Sequence, residues 1–149
     1  MKVAIVGPPK CGKTTLIEKL REYQEIHTVF DLEFFEIDNT FGLQEYNHIV
    51  FCASPTSFVN FKERFTIHSR DVRRTTFVIT NPFTGSDEQF ESVKVFFSDI
   101  VNCDEENKRN LFLQFTLMTV NSVPYDFMNK TYDAFNIDKL SETIVGSIS

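Results

Sequence analysis

The chain has 149 residues, of which 42% are hydrophobic and 24% are charged, as is typical of one soluble globular domain with a single core. The net charge of −6 argues against a general nucleic-acid-binding protein, because a polyanion attracts an excess of Lys and Arg. No run of about 18 apolar residues is present, which excludes a membrane-spanning helix.

The first predicted elements are a short buried strand at residues 3–6 and an amphipathic helix at 15–21. Between them, residues 7–14 read Gly-Pro-Pro-Lys-Cys-Gly-Lys-Thr, which matches the phosphate-binding pattern G-x-x-x-x-G-K-[ST]. The order of strand, glycine-containing loop and helix is the context that this motif requires. We therefore predict a nucleotide site here rather than a chance glycine-rich turn.

The chemistry of this motif assigns a role to each type of residue in the loop. Gly7 and Gly12 allow a tight turn in which backbone N–H groups and the helix N-terminus face a phosphate. Lys13 would reach the β- and γ-phosphates, and the Thr14 hydroxyl would bind Mg²⁺. The predicted nucleotide contacts are Gly7, Pro8, Pro9, Lys10, Cys11, Gly12, Lys13, Thr14 and Thr15.

The remaining elements follow from runs of apolar and β-branched residues and from helical periodicity. Strands are predicted at 28–38, 48–53, 75–80 and 111–120. Helices are predicted at 54–70, 86–103 and 125–148. Polar stretches at 22–27, 39–47, 81–85 and 104–110 are predicted to be loops.

Strands that alternate with helices indicate βαβ units. We therefore predict an α/β chain with the three-layer P-loop NTPase fold, in which a mostly parallel sheet of about five strands carries helices on both faces. Residues 1–149 would form one nucleotide-binding domain. Right-handed crossovers would place the loops that follow the strands at the same edge as the phosphate loop.

A phosphate loop needs a partner carboxylate to hold Mg²⁺, usually at the end of a neighbouring strand. Asp38 is the best candidate, because it ends the second predicted strand. Asp31 and Glu36 are weaker candidates, because both lie inside that strand. The alternative is that Asp38 is only a turn residue that leaves the strand.

At residues 37–46 the chain resembles the D-x-x-G segment of Ras-like small GTPases, since it reads Ile-Asp-Asn-Thr-Phe-Gly-Leu-Gln-Glu-Tyr. The resemblance implies that Gly42 senses the γ-phosphate and that Gln44 is a catalytic residue that positions water. An alignment on Gly42 puts Asn39 at the aspartate position, whereas an alignment on Asp38 leaves the segment one residue too long. Thr28 is a candidate for the switch threonine of this family.

The strand at residues 77–81 resembles the one that leads to the family's guanine-reading motif, N-K-x-D. Asn81 is retained and would contact the nucleotide, but Pro82 replaces the lysine and Thr84 the aspartate. A threonine cannot replace the bidentate carboxylate, so we expect only a modest preference for GTP over ATP. Residues 119–122 occupy the place of the family's S-A-K loop.

The resemblance implies a reduced small GTPase that binds GTP (or ATP) with Mg²⁺, hydrolyses it slowly or only with a partner, and acts through protein partners. One alternative is a pseudo-GTPase, a scaffold without turnover. The other is a small nucleotide or metabolite kinase with an arginine lid, but the arginines at 70–74 precede a strand and would lie at the opposite edge.

Three cysteines are present, with neither an even count nor a metal-ligand spacing. Reduced thiols fit this pattern best, so we expect a cytoplasmic protein. The first predicted strand begins almost at once, so no signal peptide is expected.

Overall fold

The computed structural model describes residues 1–27, 31–37, 40, 42–57, 65–102 and 116–148. The strands are β1 (Lys2–Val6), β2 (Glu33–Ile37), β3 (His48–Ala53), β4 (Ile67–His68), β5 (Thr75–Thr80), β6 (Val101–Asn102), β7 (Thr116–Val120), β8 (Tyr125–Phe127) and β9 (Lys130–Tyr132). The α-helices are α1 (Lys13–His27), α2 (Asp87–Ile100) and α3 (Ile137–Ile148). Two short 3₁₀ helices in the described part of the chain span Leu43–Glu45 and Ser69–Arg74.

The centre of the fold is a five-stranded sheet with the order β2-β1-β3-β5-β7. Every pairing within this sheet is parallel. All five strands therefore end at the same edge, which we call the carboxyl edge, and begin at the opposite amino edge. The α/β prediction of a parallel sheet with about five strands is confirmed.

Helices cover both faces of the sheet, which gives three layers. On one face, Leu16 of α1 and Leu140 of α3 are fully buried in a cluster with Ile5 of β1. On the other face α2 packs onto the sheet, and the ring centroids of Phe51 and Phe97 are 5.9 Å apart in an edge-to-face arrangement. Such aromatic pairs add about 0.5–1.5 kcal/mol each to the free energy of unfolding beyond the burial of their area.

A buried histidine links α3 to the start of β3. The ring nitrogens of His48 lie 2.9 Å from Ser147 Oγ and 2.8 Å from Thr76 Oγ1. Burial, with a smaller contribution from the nearby Arg74 guanidinium, lowers the pKa of His48 from 6.5 to about 4. The imidazole is therefore neutral at physiological pH and bonded to two hydroxyl groups.

The first helix is longer than predicted, because α1 continues through residues 22–27, which the sequence analysis took for a loop. These residues are polar because this part of the helix faces water. Side chains of the helix also bind the neighbouring strand: Gln24 accepts from the Leu32 backbone N–H (3.0 Å) and donates to its carbonyl (3.1 Å). Arg21 donates to the Phe34 carbonyl at 3.3 Å. The polar residues at 22–27 thus form an exposed part of α1 and do not end the helix.

The predicted helix at 125–148 is wrong in its first part, because α3 begins only at Ile137. The preceding residues form an antiparallel hairpin of β8 and β9. Met128 (φ 51) and Asn129 (φ 64) connect the strands in the left-handed region, as a two-residue hairpin loop requires. Asn, Asp or Gly is expected at the first position of such a turn, and here that position is Met128. The sequence therefore carries no clear signal for the hairpin.

The predicted helix at 54–70 is also wrong where it can be checked. Residues 67–68 form β4, which pairs in parallel with β6, and a 3₁₀ helix follows from Ser69. Residues 58–64 of this prediction lie outside the described residues. The described parts of the predicted strands 28–38 and 111–120 contain β2 and β7.

None of the helices in the described part of the chain is both long enough and apolar enough to cross a bilayer.

Candidate nucleotide-binding site

The glycine-containing loop lies at the carboxyl edge of the central part of the sheet, between the end of β1 at Val6 and the start of α1 at Lys13. A Cβ atom on Gly7 would lie 2.2 Å from the carbonyl oxygen of Cys52 in β3, so no larger residue fits there. Gly12 has a φ of +87°, which disfavours any residue with a side chain. Both glycines of the motif are therefore required by the backbone path.

Lys13, the first residue of α1, points its ammonium group back into the loop. Its Nζ donates to the carbonyl oxygens of Gly7 (2.5 Å) and Pro8 (3.2 Å), and only 5% of the residue is exposed. The first backbone N–H groups of a helix lack intrahelical acceptors and carry the positive end of its dipole. A buried ammonium and a helix N-terminus thus converge on this loop, which suits an anion.

The loop is held at Cys11 by contacts with β5 and with the core. Thr80, at the end of β5, donates its hydroxyl to the Cys11 carbonyl at 2.5 Å. The Cys11 side chain is fully buried in the core that α1 and α3 share, and desolvation raises the pKa of its thiol to about 11. Cys11 therefore offers only its backbone to a ligand. The predicted contacts Pro9 and Lys10 are exposed, and Lys10 adopts a left-handed φ of 65°.

The second residue of α1 is bonded to a carboxylate on the neighbouring strand. Thr14 Oγ1 donates to Glu36 Oε2 at 2.9 Å. Glu36 pairs with Ile5 in the β1–β2 register and shares a sheet face with the buried Phe34, so its side chain extends toward α1. The other predicted residues of this region, Thr28, Asp38 and Asn39, lie outside the described residues.

The sequence makes Glu36 a weaker candidate than Asp38, because Glu36 lies inside the predicted strand. Alternation along β2 does place residue 36 on the same sheet face as Phe34 and near the end of the strand, which is consistent with its contact with Thr14. The sequence does not specify which face of β2 is covered by α1, and the contact between Glu36 and Thr14 depends on that.

Asn81, which follows β5, also lies beside the loop. Its Nδ2 is 3.9 Å from the place that a Cβ atom on Gly12 would take. The Asn81 carbonyl accepts from the Thr84 backbone N–H (3.1 Å) and from the Thr84 hydroxyl (2.7 Å). The Thr84 side chain is thus used within its own turn, and the neighbouring Pro82 is buried.

Gly42 and Gln44 lie on a segment that is anchored at the amino edge of the sheet. The Arg74 guanidinium, just before β5, donates to the carbonyl oxygens of Leu43 (2.9 Å) and Tyr46. Directly before β3, the backbone N–H of Asn47 donates to the Lys2 carbonyl at the start of β1 at 2.8 Å. Gln44 is exposed, and these contacts do not bring it together with Lys13 and Thr14 at the carboxyl edge.

The arrangement of a parallel sheet with a glycine loop between its first strand and first helix defines the P-loop class of α/β folds. No family model matches the sequence. No curated protein matches it either.

Solved structures do resemble the chain. Translation elongation factor SelB from Methanococcus maripaludis, in complex with the GTP analogue GppNHp, is 14% identical with a TM-score of 0.52, over 99% of this chain and 33% of that one. The chain thus spans about a third of SelB. A probable GTP-binding protein, EngB, is 13% identical with a TM-score of 0.56, over 99% of this chain and 98% of that one. The FeoB G-domain from Methanococcus jannaschii is 11% identical with a TM-score of 0.47, over 99% and 96%. The likeness to SelB and EngB shows that this chain has the fold of P-loop G domains.

Proposed function

We propose that the chain is a nucleotide-binding protein of the small-GTPase type. It binds a nucleoside triphosphate with Mg²⁺ at residues 7–14 and acts through contacts with protein partners in the cytoplasm. The observation that carries this proposal is the geometry of Lys13, whose buried ammonium is held inside the loop at the N-terminus of α1. The GTP-binding neighbours SelB and EngB support it at the level of fold.

Phosphate oxygens would compete with the Gly7 and Pro8 carbonyls for the donors of Lys13. Hydrogen bonds between charged partners are roughly twice as strong as neutral ones, so the exchange favours the nucleotide. Backbone N–H groups of the loop would hold the remaining phosphate oxygens. Mg²⁺, when bound, would neutralise charge on the β- and γ-phosphates, and the exposed hydroxyl of Thr14 fits it as a ligand.

The base-binding end of the site favours a modest preference for GTP over ATP. Thr84 donates its hydroxyl within its own turn and has no carboxylate to accept from a guanine edge. Asn81 is the one residue of the guanine-reading pattern that lies beside the loop. We expect hydrolysis to be slow or to depend on a partner.

A second candidate function is a scaffold that binds nucleotide without turnover. The anchoring of the Gln44 segment at the amino edge favours it, because a water-positioning residue must reach the γ-phosphate. A kinase with an arginine lid is disfavoured, because Arg74 and its neighbours precede β5 and lie at the amino edge.

The proposal is tested by titration of the folded protein with fluorescent GTP and ATP analogues, in Mg²⁺ and in EDTA. Lys13→Ala removes the buried ammonium and should weaken binding at least about 100-fold, in line with the loss of one charged hydrogen-bond network of roughly 3 kcal/mol. Lys19→Ala is the matched control on the same helix, since Lys19 is partly exposed and paired with Glu22, and it should bind as the parent does. If Lys13→Ala stays folded and keeps the parent affinity, the site assignment is wrong.

A further inference from the structure

We infer that Glu36, rather than Asp38, is the protein carboxylate that holds the Mg²⁺ of the bound nucleotide together with Thr14. The inference rests on the proposed nucleotide binding and extends it to a residue that the family pattern does not indicate. It starts from the 2.9 Å contact between Thr14 Oγ1 and Glu36 Oε2.

The position of Glu36 is fixed by the sheet and does not depend on a loop. Glu36 lies opposite Ile5 in the parallel pairing of β1 and β2, and Gly7 follows Ile5 by two residues. The carboxylate therefore extends from a regular strand toward the first turn of α1, where Thr14 lies. A ligand on a regular element is held in place more precisely than one on a loop.

The distance between the two oxygens fits a shared metal ion. Mg²⁺ binds oxygen at about 2.0–2.1 Å in octahedral geometry, so two adjacent ligands lie about 2.9 Å apart. Thr14 Oγ1 and Glu36 Oε2 already have this separation. The hydroxyl needs only to rotate its proton away from Glu36 to offer a lone pair to the metal, and no backbone movement is required.

The negative charges of Glu36 and of the triphosphate provide a second reason to place Mg²⁺ between them. A carboxylate next to a triphosphate site repels the ligand unless a cation lies between the two. The Glu36 side chain is exposed, so no cost of burial opposes its charge. Mg²⁺ sites in proteins use one or two carboxylates together with phosphate oxygens and waters.

This argument predicts that replacement of Glu36 changes nucleotide affinity in opposite directions with and without the metal. Glu36→Gln keeps an acceptor for the Thr14 hydroxyl on an exposed strand, so the fold should be retained. In excess Mg²⁺ the variant should bind a fluorescent GTP analogue at least about tenfold more weakly than the parent. In EDTA it should bind as tightly as the parent or more tightly, because a negative charge beside the phosphates has been removed.

Two matched variants separate Glu36 from its neighbours. Glu33→Gln removes an exposed carboxylate from the same strand, and Asp38→Asn removes the carboxylate that the family pattern favours. Both should keep the parent ratio of the affinities in Mg²⁺ and EDTA. The midpoint of thermal unfolding in the presence of Mg²⁺ and nucleotide gives an independent readout, and the increase caused by Mg²⁺ should shrink only in Glu36→Gln.

Three other outcomes would overturn either the inference about Glu36 or the proposed function. If Asp38→Asn loses the Mg²⁺ effect, alone or as strongly as Glu36→Gln does, the inference is overturned although the protein binds nucleotide. A parent that binds equally in Mg²⁺ and EDTA also overturns it and leaves nucleotide binding standing. A parent that binds no nucleotide under either condition refutes the proposed function itself, and the inference with it.

Discussion

Replacement of Gly7 by alanine provides a quantitative test of the loop geometry. The new Cβ atom would lie 2.2 Å from the Cys52 carbonyl oxygen, whereas an ordinary contact begins at 3.4 Å, so one of the two backbones must move by about 1.2 Å. Neither can move easily, because β1 and β3 are neighbours in the parallel ladder. Overpacking of this kind costs roughly 1–3 kcal/mol, and the rigid backbone acceptor places Gly7→Ala at about 3 kcal/mol.

The assay is urea unfolding followed by circular dichroism, with thermal unfolding as a check. A loss of about 3 kcal/mol corresponds to a decrease of about 6–12 °C in the melting midpoint of a chain of this size. Gly146→Ala is the control, because nothing lies within 4 Å of the added Cβ in α3, and it should gain about 0.5–1 kcal/mol from helix propensity. A Gly7→Ala variant that loses less than about 1 kcal/mol would refute the reasoning.

Two further predictions concern the amino edge. Arg74→Ala removes the hydrogen bonds to Asp71 and to two carbonyls of the Gln44 segment, so it should lower the free energy of unfolding in urea by about 2–3 kcal/mol. Replacement of the exposed neighbour, Arg73→Ala, should change this free energy by less than about 0.5 kcal/mol. Equal losses in the two variants would contradict the anchoring role of Arg74. The folded-state pKa of His48, about 4, lies below its ordinary 6.5, so the unfolded chain takes up the proton first. The difference between the two pKa values contributes about 3 kcal/mol to the free energy of unfolding above pH 6.5, and this contribution is lost as the pH falls to about 4. The free energy of unfolding of His48→Asn, measured against pH, should therefore lack this part of the slope.

Those parts of the structure that depend on local signals were predictable. The glycine-containing loop is contiguous in sequence, and the tight turn expected of its two glycines agrees with the backbone path at Gly7 and Gly12. The order of strands and helices predicted the parallel sheet, because most of these elements can be recognised from their own hydrophobic periodicity. Asn81 could be placed beside the loop because it directly follows a parallel strand.

Those parts that depend on contacts between distant residues were not predictable. The link between Thr14 and Glu36 depends on the register of β1 and β2, which no local pattern specifies. The anchoring of the Gln44 segment depends on Arg74, which lies 30 residues further along the chain and in another element. The end of α1 was missed because exposed helical turns and loops have the same polar composition.

The hydrogen bonds from α1 to β2 have a consequence for the behaviour of the protein in concentrated solution. Among the described strands, β2 is an outer strand of the sheet, and an outer strand offers main-chain groups to which the strand of another molecule can bind. Gln24 occupies both main-chain groups of Leu32, and Arg21 occupies the carbonyl of Phe34. The first helix therefore does more than follow the glycine-containing loop, because side chains of its second half shield this border of the sheet from edge-to-edge association.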